Sequence, residues 1–175
     1  MKKILLAVVV ALFSINAMAQ HEIGGIVGGM NGLSYKYWVN DKFAVQADLA
    51  VGLSRIYQAT YFKGTKIGSG DFGCFDFTIN PNALYHFDLV NNLKLYTGGG
   101  ISFGLVSDLN NTNTKALDGK FGINGVIGLA YELDAVPLVL AFDLRPGYGL
   151  GFQTSDDAHM SYFDWHVGFA VRYKL

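Results

Sequence analysis

The last fourteen residues, Tyr162–Leu175 (YFDWHVGFAVRYKL), alternate strictly between two kinds of side chain. Large apolar residues take every second position, at Phe163, Trp165, Val167, Phe169, Val171, Tyr173 and Leu175. Polar, charged or small residues take the positions between, at Tyr162, Asp164, His166, Gly168, Ala170, Arg172 and Lys174. A period of two places successive side chains on opposite faces of a β-strand. The segment is therefore predicted to be a strand with one apolar and one polar face.

The same alternation recurs along the chain and predicts eight strands. Five further segments show it clearly: 138–145, 121–132, 93–105, 75–88 and 43–53. Two are less regular, because 33–39 places Trp38 on the polar side and 23–28 is too rich in glycine for its faces to be assigned. The alternation predicts an all-β chain with no helical domain.

Short and long connections alternate between these predicted strands. Residues 40–42, 88–92 and 134–137 carry turn-forming residues, whereas 54–73, 106–119 and 150–161 are longer. The first hairpin, at 29–32, is short where a long loop is expected. Short turns at one end and long loops at the other are typical of outer-membrane barrels. We therefore predict an eight-stranded antiparallel up-and-down transmembrane β-barrel.

The first nineteen residues resemble a secretory signal peptide rather than part of the fold. Lys2 and Lys3 precede an apolar run at 4–15, and Ala17-Met18-Ala19 supplies a small-x-small cleavage pattern before Gln20. The alternative is a membrane anchor, but the run is short for a spanning helix. We predict a cleaved signal at 1–19 and one barrel domain at 20–175. No second long apolar run follows, so any membrane span must be built from strands.

Composition narrows the function classes. Charged residues make up 15% of the chain against about 25% in a typical soluble domain. The net charge of -1 argues against nucleic-acid binding, which normally uses a basic surface. The single cysteine, Cys74, excludes an intramolecular disulfide, and we expect an inert thiol on the inward side.

The placement of charges distinguishes a membrane barrel from a soluble one. The apolar faces of the clear strands carry no Asp, Glu, Lys or Arg, whereas the opposite faces combine Gly and Ala with charged residues. A membrane barrel has an apolar exterior and a polar lumen, while a soluble lipocalin-like binder reverses this. We predict a lumenal polar network, with Lys174 nearby, formed by Asp48, Glu132, Asp143, Arg145, Asp164, His166 and Arg172.

Aromatic residues near the strand ends are expected to form two interfacial girdles. They are Tyr37, Phe43, Tyr85, Phe87, Tyr131, Tyr148, Phe163 and Tyr173.

The chain resembles the small eight-stranded outer-membrane barrels, of the type of outer membrane protein X and the barrel of outer membrane protein A. Gly32–Tyr37, after a glycine-rich first strand, resembles the opening hairpin of porin-family barrels of Bacteroidetes type. The segment Trp165–Leu175 resembles the C-terminal signal read by the barrel assembly machinery, although it ends on Leu instead of an aromatic residue. The resemblance implies a bacterial outer-membrane location and contact with its lipid and lipopolysaccharide.

Catalytic and cofactor motifs are weak. His159-Met160-Ser161 is similar to the His-x-Ser pair of outer-membrane lipid A deacylases, but the surrounding residues do not match. No pair of the four histidines has metal-motif spacing, so we expect no metal, no cofactor and no enzyme activity.

The predicted function is therefore a structural or surface-interaction barrel that presents its long loops to an extracellular partner. A small-solute pore is the alternative. An eight-stranded barrel is only wide enough for side chains to fill, which disfavours a wide channel.

Overall fold

The computed structural model contains eight β-strands and, among the residues it describes, no helix. It describes the backbone of 20–62, 65–108, 118–152 and 158–175, and the side chains of 20–52, 75–106, 119–151 and 161–175. In chain order the strands are β1 (His21–Gly28), β2 (Asn31–Trp38), β3 (Phe43–Phe62), β4 (Thr65–Val90), β5 (Leu93–Asp108), β6 (Asp118–Glu132), β7 (Leu138–Phe152) and β8 (Ala158–Lys174). Within these described ranges, no helix is long and apolar enough to cross a membrane.

The strands close into a single antiparallel barrel. Each strand pairs with the next along the chain, and β1 pairs with β8. The ladder can be followed once around the barrel through Gly25, Leu33, Leu49, Ile79, Phe103, Phe121, Leu150 and Ser161. Gly25 itself pairs with Val171 on β8, whereas the path around the barrel arrives at Ser161 on the same strand. One circuit of the barrel therefore shifts the register by ten residues. Such a stagger tilts the strands by roughly 40° from the barrel axis. The predicted fold is confirmed.

The three predicted tight turns are confirmed, and they lie at the end that also holds both ends of the described chain. They connect β2 to β3, β4 to β5 and β6 to β7. Asn92 adopts a φ of 63° in the second turn, a left-handed conformation that asparagine tolerates better than most residues. At the opposite end, Gly28 has a φ of 128° in the short β1–β2 hairpin, and a residue with a Cβ is strained there.

A second pairing explains why the first hairpin is short. The β2–β3 ladder stops at Asn31 and Val51, and the β1–β8 ladder stops at Gly28 and Gly168. Beyond the hairpin tip β3 pairs directly with β8, from Tyr57–Phe163 to Phe62–Ala158. The barrel wall therefore has eight strands at the turn end and six at the other end. Fewer strands enclose a narrower space.

The predicted long connections are shorter than expected. The predicted loop at 54–73 is wrong, because β3 continues to Phe62 and β4 begins at Thr65. β5, β6, β7 and β8 likewise extend into the predicted loops at 106–119 and 150–161. Alternation ends in these regions because a strand that leaves the membrane needs no apolar face, so the pattern stops before the strand does. Residues 63–64, 109–117 and 153–157 lie outside the described part of the chain.

Burial assigns the faces of all eight strands, including the two that the sequence left unclear. Ile23 and Val27 of β1 face outward, with exposures of 48% and 55%, whereas Glu22 and Ile26 are buried inside. On β2, Leu33 and Tyr35 face outward, and Ser34 and Lys36 are fully buried in the lumen. Side chains therefore alternate between the exterior and the lumen in all eight strands.

Candidate functional site

The lumen is the only extensive polar region enclosed by the described residues, and its charges balance. Six acids are buried or partly buried inside: Glu22, Asp48, Asp76, Glu132, Asp143 and Asp164; Asp88, at the last inward position of β4, is exposed at the rim and is not counted. Six inward-facing bases are Lys36, Lys94, Lys120, Arg145, Arg172 and Lys174. Burying a charge is costly unless it is paired, and equal numbers of opposite charge allow pairing throughout.

The central cluster joins β3 to β7 across the lumen. Arg145 Nη1 donates to Asp48 Oδ2 at 2.5 Å, and Arg145 also forms an ion pair with Asp143. Gln46 Nε2 donates to Asp48 Oδ2 at 2.9 Å. Asp48 and Asp143 have no exposure to solvent and Arg145 only 3%. These side chains therefore seal the lumen at this level.

Arg172 is fully buried beside the central cluster, but its direct partner is a hydroxyl group. Its Nε donates to Ser34 Oγ at 2.9 Å. Asp143, Asp48 and Glu22 interact with it electrostatically, but within the described residues it makes no ion pair. The expected pairing of Arg172 with a carboxylate is therefore not seen.

A second cluster lies toward the six-stranded end. Lys120 Nζ is 2.5 Å from Asp76 Oδ2 and 3.9 Å from Asp164 Oδ2. His166 Nε2 lies 3.4 Å from the same Asp164 oxygen, so Asp164 and His166 are together as the sequence suggested. The Lys120 ammonium also lies 5.7 Å from the centre of the Tyr162 ring, within cation–π range.

Uncharged amides separate the two clusters. Asn124 Nδ2 donates to Asn82 Oδ1 at 2.5 Å, and Ser102 Oγ donates to Asn124 Oδ1 at 3.0 Å. A cavity of about 20 Å³ lies here between Lys120 and Arg145. That volume holds about one water molecule. It is too small for a solute.

Aromatic stacking closes the lumen at the turn end. The Trp38 ring lies 4.3 Å from His86, and its Nε1 donates to Glu22 Oε1 at 2.6 Å. Beneath it, Lys36 Nζ lies 3.4 Å from His86 Nε2 and 4.7 Å from the Tyr96 ring. The polar side of β2 therefore carries Trp38 because the indole covers the lumen mouth.

An ion-pair bridge stands above Trp38 at the rim. Lys94 Nζ contacts Glu132 Oε1 at 2.8 Å, and Lys174 contacts the other oxygen, Oε2. These groups are about one quarter exposed. One carboxylate thus bridges β5, β6 and β8.

The structure places all seven residues of the predicted network on the inward face. It brings together Asp48, Asp143 and Arg145, and separately Asp164 with His166, while Glu132 pairs with lysines at the rim. The predicted network omits five charged members of the lumen: Glu22, Lys36, Asp76, Lys94 and Lys120. Their positions in the alternation carried the signal, which was clear for β4 to β6 and weak for β1 and β2.

Two other sequence candidates fall outside the described side chains. The backbones of His159 and Ser161 lie in β8, and the backbone of Cys74 lies in β4. The side chains of His159 and Cys74 are not described, so the inert thiol stays a prediction and the hydrolase alternative is not tested.

The exterior is apolar around the whole described wall. Outward-facing residues such as Ile127, Phe142 and Phe169 are 48%, 51% and 44% exposed. No Asp, Glu, Lys or Arg occupies an outward strand position among the described side chains. Such a surface is unstable in water and suits a lipid bilayer. The assignment of the apolar face to the outside is confirmed.

Aromatic side chains mark two levels on this exterior. Tyr85, Tyr131 and Tyr173 lie near the tight turns, whereas Tyr148 pairs with Phe163 toward the other end. Tyr173 and Phe163 are ten residues apart on β8, which corresponds to ~26 Å along the axis of a tilted strand. The apolar band of an outer-membrane barrel is about 25 Å tall.

The fold is similar to solved outer-membrane barrels from Gram-negative bacteria. Neisserial surface protein A aligns with a TM-score of 0.57 at 15% identity, over 89% of this chain and 93% of that one. The N-terminal β-barrel domain of Pseudomonas aeruginosa OprF gives 0.58 at 16% identity, over 89% and 95%. The outer membrane protein OprG of the same organism gives 0.55 at 14% identity, over 89% and 95%.

These identities establish the fold alone. No protein-family model and no curated protein sequence matches the chain. The closed barrel and the apolar exterior together make this protein a small eight-stranded bacterial outer-membrane β-barrel.

Proposed function

We propose that this protein is a non-conducting outer-membrane barrel that acts as a structural or surface-interaction protein. Its wall anchors it in lipid and lipopolysaccharide, and its six-stranded end faces a partner outside the cell. The barrel assembly machinery inserts it after residues 1–19 have been removed. The orientation follows from the general rule that short turns lie on the periplasmic side.

The sealed lumen is the observation that carries the proposal. Asp48, Asp143 and Arg145 form a bonded cluster that spans the lumen, and Leu84 and Tyr96, which also face inward, are fully buried. A hydrated ion passes only where the interior holds continuous water. Breaking this buried cluster leaves unpaired charges, which makes spontaneous opening costly.

The six-stranded end supports the interaction role. The β3–β4 hairpin continues for five residues beyond Tyr57 on β3, to Phe62. At about 3.3 Å per residue, this stretch measures roughly 17 Å along the strand. A paired hairpin is a stiffer platform for a partner than an unpaired loop, because less conformational freedom is lost on binding.

Conductance measurements test whether the lumen is closed. The purified barrel is reconstituted in planar bilayers, with a large trimeric porin as the positive control. We expect no discrete conductance steps above the baseline of the bilayer. Reproducible steps would support the small-solute pore instead.

Cell fractionation tests the location and the processing. The outer-membrane fraction is compared by electrophoresis with and without heating, and the mature N-terminus is sequenced. We expect a heat-shifted band that begins at Gln20. An unshifted soluble periplasmic protein would contradict the membrane assignment and favour a lipocalin-like binder.

The hydrolase alternative has a separate test. Lipid A is extracted from cells that express the natural chain or Ser161→Ala, and acylation is compared by mass spectrometry. We expect identical profiles, since the proposed role needs no nucleophile. Loss of a deacylated species only in Ser161→Ala would overturn the non-enzymatic assignment.

A further inference from the structure

A recess separate from the sealed lumen opens at the turn end of the barrel. Its volume is about 390 Å³, within the range typical of small-molecule sites, about 300–1,000 Å³. Trp38 lines it, and Lys94, Glu132 and Lys174 stand along its side. Because Trp38 stacks on His86 and donates to Glu22, it separates the recess from the lumen.

One side of the recess has an excess of positive charge. Lys94 and Lys174 share the single carboxylate of Glu132, one on each oxygen. Two ammonium groups on one carboxylate leave net positive charge with donors that can turn toward a ligand. Lys94 Nζ also lies 4.9 Å from the centre of the Trp38 ring, so charge and aromatic surface are adjacent.

Two other lining groups carry the opposite charge, while Gln20, the N-terminal residue once residues 1–19 are removed, also lines the recess. Asp41 comes from the β2–β3 turn and Asp88 from the end of β4. Neither carboxylate makes an ion pair among the described residues. A simple anion is attracted by the lysines and repelled by these acids, and a simple cation meets the reverse. A ligand with both charges is complementary to the whole recess.

We propose that this recess binds the zwitterionic end of a short peptide, with the stem peptide of the cell wall as its source. A peptide carboxylate pairs with Lys94 and Lys174, an ammonium group pairs with Asp41 and Asp88, and the aliphatic part lies on Trp38. The cell wall is the source because the turn end faces the periplasm, where stem peptides carry free amino and carboxyl groups. The inference rests on the orientation given under the proposed function and is independent of the sealed lumen.

Fluorescence of Trp38 provides a direct measurement. The chain has two tryptophans, and Trp165 lies on the lipid face with 57% exposure. Trp165→Phe therefore leaves Trp38 as the only reporter. The folded barrel in detergent micelles is titrated with a soluble disaccharide tetrapeptide and with the same compound after its amine is acetylated and its carboxylates are amidated. We expect a saturable change for the first probe and at least about tenfold weaker binding for the capped probe.

Matched variants connect this binding to the recess. Lys174→Gln and Asp88→Asn are each expected to weaken binding of the uncapped probe by about tenfold. Lys42→Gln removes one charge from the same rim at an exposed position that does not line the recess, and it should bind normally. A heat-shifted band shows that each variant is folded before it is titrated.

Two measurements, co-sedimentation with sacculi and binding of a free tripeptide, identify the source of the peptide. Co-sedimentation of the barrel with isolated cell-wall sacculi, lost in Lys174→Gln, supports the wall peptide. Saturable binding of a free tripeptide without co-sedimentation overturns that source but keeps the zwitterion site. Equal binding of capped and uncapped probes, or equal loss in Lys174→Gln and Lys42→Gln, overturns the site itself. None of these outcomes depends on conductance, so a failure here is distinct from a failure of the proposed function.

Discussion

Arg145 on β7 and Asp48 on β3 meet across the lumen, with 2.5 Å between Nη1 and Oδ2 and almost no exposure to solvent. The two residues are 97 positions apart in the chain. Because they lie on strands that are not neighbours in the wall, their ion pair ties opposite sides of the barrel together. The stability of the barrel should therefore depend on it.

We expect Arg145→Met to lower the free energy of unfolding by about 3–5 kcal/mol, because it leaves Asp48 and Asp143 buried without their cation. Urea unfolding in lipid vesicles, followed by loss of the heat-shifted band, measures the change. Lys94→Met is the control, since its ion pair is about one quarter exposed and should cost at most about 1 kcal/mol. Equal effects of the two substitutions would contradict a dominant role for the central cluster.

Gly128 has no Cβ, and this leaves room for the buried ring of Tyr96. A Cβ at this position would lie 2.5 Å from the Phe142 carbonyl oxygen and 2.6 Å from Cζ of Tyr96. We expect Gly128→Ala to destabilise the barrel by about 1–3 kcal/mol, since the backbone and the ring must both shift. Gly119→Ala has open space around its Cβ and should change stability little in the same urea assay. A stable Gly128→Ala would contradict the tight packing of Gly128 against the Phe142 carbonyl and the Tyr96 ring.

Leu144 faces lipid near the middle of the wall, between the two aromatic levels. We expect Leu144→Arg to cost about 2–4 kcal/mol, the penalty for a cation at the bilayer midplane. Val136→Arg adds the same charge in the turn between β6 and β7, outside the apolar band, and should cost little. Folding yields into vesicles across a urea series compare the two. A tolerated Leu144→Arg would argue that this face is not in contact with lipid.

The direct pairing of β3 with β8 predicts a specific crosslink. Ala59 and Ser161 are opposite each other in this ladder. Opposite Cα atoms in an antiparallel pair are about 4.5–5.5 Å apart, which a disulfide can span. In a Cys74→Ser background, Ala59→Cys with Ser161→Cys should oxidise to a species with altered mobility that reducing agent reverses.

The control for this crosslink uses the next strand. Leu150 pairs with Ser161 on β7, so it lies two strand spacings from Ala59, roughly 10 Å. Ala59→Cys with Leu150→Cys should remain reduced under the same conditions. Equal crosslinking of both pairs would show that β3 and β8 are not held in register.

The sequence predicts the wall of this barrel better than it predicts the ends. Alternation in segments such as 121–132 and 162–175 defines strands and faces, because lipid and lumen demand opposite side chains. Beyond the bilayer that demand stops, so the sequence predicts a loop where β3 and β4 in fact extend. The direct pairing of β3 with β8 depends on contacts about 100 residues apart, and no local pattern encodes it.

The sequence predicts which residues face the lumen, but it does not predict which of them contact one another. Inward positions follow from the alternation, so Asp48, Asp143 and Arg145 could be named from the sequence. Which residues meet depends on the stagger of the strands, and that places Arg172 beside Ser34 instead of a carboxylate. The recess at the rim was missed because its residues come from turns and strand ends, where the face assignment is weakest.

The short β1–β2 hairpin restricts how this protein can diversify. In most barrels a surface connection can be lengthened at little thermodynamic cost, because added residues extend into solvent. Here the tip at Gly28–Asn31 lies directly below the place where β3 and β8 join. Extra residues in that hairpin must either separate those two strands or fold away from the wall. Variation among descendants of this chain should therefore accumulate in the other three connections at that end, while the first hairpin keeps its length.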